Sequence, residues 1–132
     1  RFRSLKLWFV MRHYGLEGLR GYIREHMRLA EMLESWVRSD ERFEVVAPRT
    51  MNLVCMRLRA KAGETDARVD ARTKRVMDAI NASGAAYLTH TTLPRMNAAG
   101  ENVSGVLVIR VAIGATMTRE EHVRQLWDVL CT

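Results

Sequence analysis

The spacing of apolar residues changes period near residue 40, from helical to strand-like, and that change decides what the chain can fold into. Before it, Leu5, Trp8, Phe9 and Arg12 recur at helical intervals. They predict a helix from Ser4 to about Tyr14, with Gly15 as its stop. Leu16, Leu19, Ile23, Met27, Ala30, Leu33 and Val37 then keep the three-and-four spacing, with Arg20, Arg24, Arg28 and Glu31 on the other side. A second, longer amphipathic helix follows from that pattern. Asp40 and Glu41 break it.

Beyond the break, Phe43, Val45 and Ala47 alternate with Glu44 and Val46, Pro48-Arg49 makes a turn, and Met51 to Leu58 reads as a second, more buried strand. Ala60 to Thr65 is a loop. A helix then starts at about Asp66, taken as its N-cap, turns Val69, Thr73, Val76, Met77 and Ile80 inward, and ends at Gly84. Ala86 to Leu93 and Val106 to Ile113 read as two further strands. The stretch between them, Pro94 to Gly105, is rich in Gly, Asn and Ala and longer than a hairpin needs, so it is expected to be a mobile insertion. Thr118-Arg119-Glu120-Glu121 has the form of a capping box, opening a last helix with Val123, Leu126, Trp127 and Leu130 on one face. Short links between strands favour antiparallel neighbours. The expected architecture is a two-layer α+β domain over residues 1–132, in which a mostly antiparallel sheet of three to four strands is covered by helices. Residues 1–40 form its helical lead-in and 41–132 an α/β sandwich.

With 132 residues, 48% of them hydrophobic and only two prolines, the chain can build one real core. Cys55 and Cys131 have no ligand or redox spacing and read as free thiols of a cytoplasmic protein. No apolar run approaches the roughly 20 residues of a membrane span, so no membrane partner is expected. The net charge of +6 is uneven: residues 1–28 hold seven basic side chains against Glu17 and Glu25. Nucleic acid is not the expected partner, because no stacking aromatics interleave with those charges as single-strand binding requires. A surface facing another domain or a second subunit accounts for the excess.

The opening Arg-Phe-Arg-Ser-Leu-Lys-Leu-Trp-Phe-Val-Met-Arg-His-Tyr-Gly closely resembles the segment that begins the C-terminal small domain of pyridoxal-phosphate-dependent aromatic L-amino acid decarboxylases. The resemblance continues through Tyr22 to His26, Arg42-Phe43-Glu44, Leu53-Val54-Cys55, Arg57-Leu58, Ala79 to Gly84, Tyr87 to Thr91, and Ile109-Arg110 to Gly114-Ala115-Thr116. The run from Ala79 to Thr91 is most similar to the plant tyrosine and tryptophan decarboxylase branch. The resemblance implies the small domain of a fold-type I enzyme, the cofactor pyridoxal 5'-phosphate, an aromatic L-amino acid substrate, and a homodimer. In this family the cofactor lysine follows a histidine. Lys6, Lys61 and Lys74 follow Leu5, Ala60 and Thr73 instead. The chain is therefore expected to be the C-terminal part of a longer enzyme, inactive alone, with the cofactor-binding large domain upstream; a first residue of Arg1 agrees with that. The region 94–105 departs from the family's usual short turn.

Arg110 stands alone in Val106-Leu107-Val108-Ile109-Arg110-Val111-Ala112-Ile113, on the face shared with Val106, Val108 and Ala112. A guanidinium desolvated there without a partner would cost several kcal/mol, so an anion should meet it. A protein carboxylate is one candidate; the α-carboxylate of an amino acid, matched to the planar fork, is the other. The resemblance implies the second, since related decarboxylases place an arginine at the matching strand position near the substrate carboxylate. Its role would be to orient, because a clamp that only binds the ground-state carboxylate slows its loss. His90 is a weaker candidate, read chiefly as a hydrogen-bonded strand residue. His13, His26 and His122 give no metal spacing. Arg1, Arg3 and Ser4 fall where the family's chain enters from the large domain. The expected reaction of the complete enzyme is decarboxylation to an arylalkylamine and CO2. An aromatic aldehyde synthase of the same family and a non-enzymatic basic RNA-binding module are the alternatives.

Overall fold

Gly15 stops the first helical segment, as its place in the sequence predicts. The computed structural model describes residues 2–96 and 102–132, and in it α1 runs Ser4–Ser39 with a kink at Gly15, whose φ of 65° lies outside helical values. A glycine adopts that conformation without steric cost, so the two expected helices follow one another across a break at Gly15. The second half of α1 is part of the core: Leu29, Ala30, Leu33 and Val37 are fully buried.

The remaining elements are β1 (Phe43–Val45), β2 (Leu53–Leu58), α2 (Asp66–Ser83), β3 (Thr89–Met96), β4 (Asn102–Ala112) and α3 (Glu120–Cys131). The four strands make one antiparallel sheet in the order β1-β2-β4-β3. The α+β architecture is as expected. On one face Phe43, Val54, Met56, Ile109, Val111 and Ile113 pack against α1, α2 and α3 through Leu33, Met77, Ile80, Val123 and Leu130. On the other face Cys55, Val106 and Val108 form a smaller cluster under Val46, Ala47, Leu53 and Leu93. The link after β1 thus covers part of that face, and the rest is open.

Three local details differ from expectation. The stretch 94–105 is largely strand: β3 continues to Met96 and β4 starts at Asn102, while residues 97–101 of the expected insertion lie outside the described residues. Pro94 is tolerated because β3 is an edge strand, where its missing N–H breaks no ladder bond. Gly105 pairs with it, and a Cβ there would run into the Thr92 methyl. The N-cap of α2 is Thr65, not Asp66, whose carboxylate is bonded to arginines elsewhere. The capping box of α3 sits one residue later than Thr118: Arg119 is the N-cap and its backbone N–H donates to His122 Nδ1 at 3.0 Å.

Helix α2 also shapes the sheet. Thr73 is fully buried and its hydroxyl accepts from the Leu58 N–H at 3.3 Å, while Asp70 accepts from the Leu107 N–H at 3.0 Å. These side chains satisfy backbone donors at the end of the β2–β4 ladder, where an unpaired buried N–H would be costly.

Candidate functional site

Two of the arginines on the less covered face of the sheet, Arg57 and Arg110, have opposite fates. Arg57, on β2, is only 4% exposed. Its guanidinium donates to Glu44 at 2.6 Å and Asp66 at 3.2 Å, with Asp70 at 3.8 Å. Burial pushes the Asp66 carboxyl upward, but bonds from Arg95 and Arg57 prevail and hold it below the usual carboxylate range. Arg57 is therefore the arginine that meets internal carboxylates.

Arg110, on β4, is exposed, so the desolvation expected for it is not found. It pairs across the sheet with Cys55 on β2 and Thr89 on β3. Among the described residues no carboxylate lies within 4.0 Å of its guanidinium, and the side chain makes no hydrogen bond. Burial pushes the Cys55 thiol up, against the opposing pull of Arg110, so it stays a neutral SH at physiological pH.

The backbone around Arg110 is held at both ends. Where β3 begins, Asn81 acts as a substitute strand partner for Leu88, donating to its carbonyl at 2.9 Å and accepting from its N–H at 2.7 Å. Gly84, with φ of 72°, ends α2 and lets the chain turn into that contact. Where β4 ends, the Tyr22 hydroxyl donates to the Gly114 carbonyl at 2.6 Å, and Asn52 Nδ2 donates to the Ile113 carbonyl at 2.5 Å. A cavity of about 300 Å³ adjoins Arg110, bounded by Tyr87, Leu88, His122, Val123 and Leu126.

The other residues singled out in the sequence are not brought to this place. His90 pairs with Ile109 and so lies on the helix-covered face, opposite Arg110. His26 is buried edge-on against the Tyr22 ring at 4.1 Å, and His122 serves the α3 cap. Among the described residues no group of three or more His, Cys, Asp or Glu is placed to hold a metal. Lys6 and Lys61 are exposed and away from the cavity, and Lys74 is paired with Asp78 at 2.6 Å. Arg1 lies outside the described residues; Arg3 and Ser4 open α1 on the surface.

Part of the basic charge of α1 is neutralised locally. Arg20 pairs with Glu17, and Arg28 with Glu25 and Glu120. The apolar side chains before the kink are uncovered instead: Phe2, Leu7, Trp8, Phe9 and Met11 are each more than half exposed. Sequence reasoning did not find Arg57, Asn81 or Thr89 as structural or site residues. Glu44 in the alternating strand facing Arg57 was the one available signal, since cross-strand opposite charges attract.

Residues 1–59 match a family model described as the pyridoxal-dependent decarboxylase conserved domain. Tyrosine decarboxylase 2 of Narcissus pseudonarcissus is 48% identical over 129 residues, which is 98% of this chain and 24% of that protein. A phenylacetaldehyde synthase of Arabidopsis thaliana is 42% identical over 130 residues, again 98% of this chain and 24% of that one. Among solved structures, Catharanthus roseus tryptophan decarboxylase in complex with L-tryptophan superposes with a TM-score of 0.82 at 40% identity, covering 98% of this chain and 25% of the other. The chain thus spans about a quarter of the length of the curated relatives it matches.

Proposed function

We propose, from its similarity to pyridoxal-dependent decarboxylases, that the chain is the C-terminal small domain of an aromatic L-amino acid decarboxylase, residues 1–132 forming that one domain, and that Arg110 binds the substrate carboxylate. One observation carries the assignment of Arg110: an exposed guanidinium in the middle of an antiparallel sheet, without a counter-anion among the described residues. A planar fork of this kind accepts a carboxylate in two parallel hydrogen bonds. Uniformly tight binding would favour the ground state, so the useful work of Arg110 is directional. It fixes which way the Cα–carboxylate bond points, removing rotational freedom before the bond breaks.

The residues present do not fit the cofactor itself. None of the three lysines is near the cavity beside Arg110, and Lys74 is paired with Asp78. Pyridoxal phosphate belongs on a large domain supplied by other polypeptide, and no catalytic step through it is assigned to this chain. The uncovered apolar side chains of Phe2, Leu7, Trp8, Phe9 and Met11 support docking against that domain or a second subunit of a homodimer. No helix among the described residues is long and apolar enough to cross a membrane. The free thiols of Cys55 and Cys131 fit the cytosol.

Similarity to a phenylacetaldehyde synthase supports a second reading, an aromatic aldehyde synthase. Loss of the carboxylate is common to both reactions, so the part given to Arg110 is the same. The test is Arg110→Ala and Arg110→Lys in the full-length enzyme. Arg110→Ala should lower kcat/KM for tyrosine, tryptophan or dopa by about 100-fold or more, Arg110→Lys should recover part of it, and the thermal midpoint should stay put. Unchanged kinetics would remove Arg110 from the site.

A further inference from the structure

We infer that Thr89 is a second ligand of the carboxylate that Arg110 binds, its hydroxyl donating the third hydrogen bond beside the two of the guanidinium fork; this rests on the proposed role of Arg110. The sheet register pairs Thr89 with Arg110 directly. Directly opposed residues of an antiparallel pair put their Cβ atoms about 4.5–5.5 Å apart on the same face. Both are exposed on that face, and the arginine side chain is long enough to bring an anion held on its fork within reach of the threonine hydroxyl. The residue on the other flank of Arg110, Cys55, cannot contribute in this way, because it is buried and a thiol is a weak donor. Ala112, next along β4 on the same face, leaves room above the row.

The chemistry of the partners agrees. A carboxylate has about four lone-pair sites, and a bidentate arginine occupies two. A hydroxyl approaching from one side breaks the symmetry of that clamp and selects one rotation of the carboxylate about its bond to Cα. The Thr89 hydroxyl is available, since it neither donates nor accepts among the described residues. Its position is also fixed in advance. Asn81 holds Leu88 by two hydrogen bonds, Tyr22 and Asn52 hold the end of β4, and branching at Cβ limits the rotamers of the threonine itself.

The alternative explanation for a threonine here is its preference for strands. Valine shares that preference and the same shape but has no hydroxyl, so Thr89→Val separates the two. In the full-length holoenzyme, two competitive inhibitors report the contact: 3-phenylpropionate, a carboxylate without an amine, and phenethylamine, an amine without a carboxylate. Thr89→Val should raise the inhibition constant of 3-phenylpropionate about five- to tenfold and leave that of phenethylamine within about twofold. Thr89→Ser should restore the original value. An unchanged constant for 3-phenylpropionate, or an equal loss for both inhibitors, overturns the inference. Arg110→Ala run in parallel distinguishes the failures. If it weakens 3-phenylpropionate while Thr89→Val does not, only the assignment of Thr89 falls. If neither variant has an effect, the role of Arg110 falls with it.

Discussion

Replacing Arg57 by methionine isolates the energetic difference between Arg57 and Arg110 on the open face. Removing one partner of a well-buried ion pair typically costs about 3–5 kcal/mol, because the remaining charge is left uncompensated. Here Glu44 and Asp66 are each 34% exposed at the side chain and Asp70 24%, so water recovers part of their solvation. Asp66 also keeps Arg95 at 2.7 Å. Those two facts bring the expected loss to about 2–3 kcal/mol. Methionine occupies much of the arginine stem's volume, so little cavity cost is added. With a urea dependence of about 1–3 kcal/mol/M for small proteins, the denaturation midpoint should fall by roughly 1–2 M. The paired control, Arg110→Met, removes an exposed group that has no ion-pair partner among the described residues and should stay within about 0.5 kcal/mol. Equal shifts for the two variants, or a shift below about 0.3 M for Arg57→Met, would refute the distinction between a structural and a free arginine.

Asn81→Ala should cost about 1–3 kcal/mol, since it orphans both backbone groups of Leu88, and amide exchange should quicken at Leu88 and Thr89 before it does in β2. Asp66 is held low by Arg95 and Arg57 against burial, and Glu64 by the Lys61 N–H and Arg72. A carboxyl depressed in the folded state contributes stability above its unfolded value and loses it as pH falls through the folded one. Thermal midpoints should therefore be level from about pH 5 to 7 and drop below about pH 4; a midpoint that rises on acidification contradicts the assignment. Purified alone, the 132-residue chain should release no CO2 from tyrosine, tryptophan or dopa in the presence of pyridoxal phosphate, and measurable turnover would overturn its reading as part of a larger enzyme.

Periodicity made the helices and the two-layer arrangement legible, because a stripe such as Leu29, Leu33 and Val37 has only one consistent burial. It failed where the signal is local and the cause is tertiary. Pro94 and Gly105 are loop punctuation in isolation, yet an edge position makes one harmless and a close contact with Thr92 requires the other. Asp66 has the form of a cap, but two arginines claim its carboxylate. The rule that a lone cation on an apolar strand must find an anion is sound, but Arg57 and Arg110 look alike in a string of letters. Only the pairing of β1 with β2 and the reach of α2 decide which of them is satisfied internally. The sheet register likewise places Thr89 beside Arg110 and removes His90 to the opposite face.

The strand order β1-β2-β4-β3 has a consequence for how the protein is made. β2 can zip with β1 as soon as it leaves the ribosome, but its other neighbour is β4, which is complete only at Ala112, after α2 and β3 have been synthesised. Until then one edge of Leu53–Leu58, an apolar segment, stands open to any chain that can add to it. The row that carries Thr89 and Arg110 is thus among the last features to exist during synthesis, and slowed translation between β2 and β4 prolongs the interval in which aggregation competes with folding.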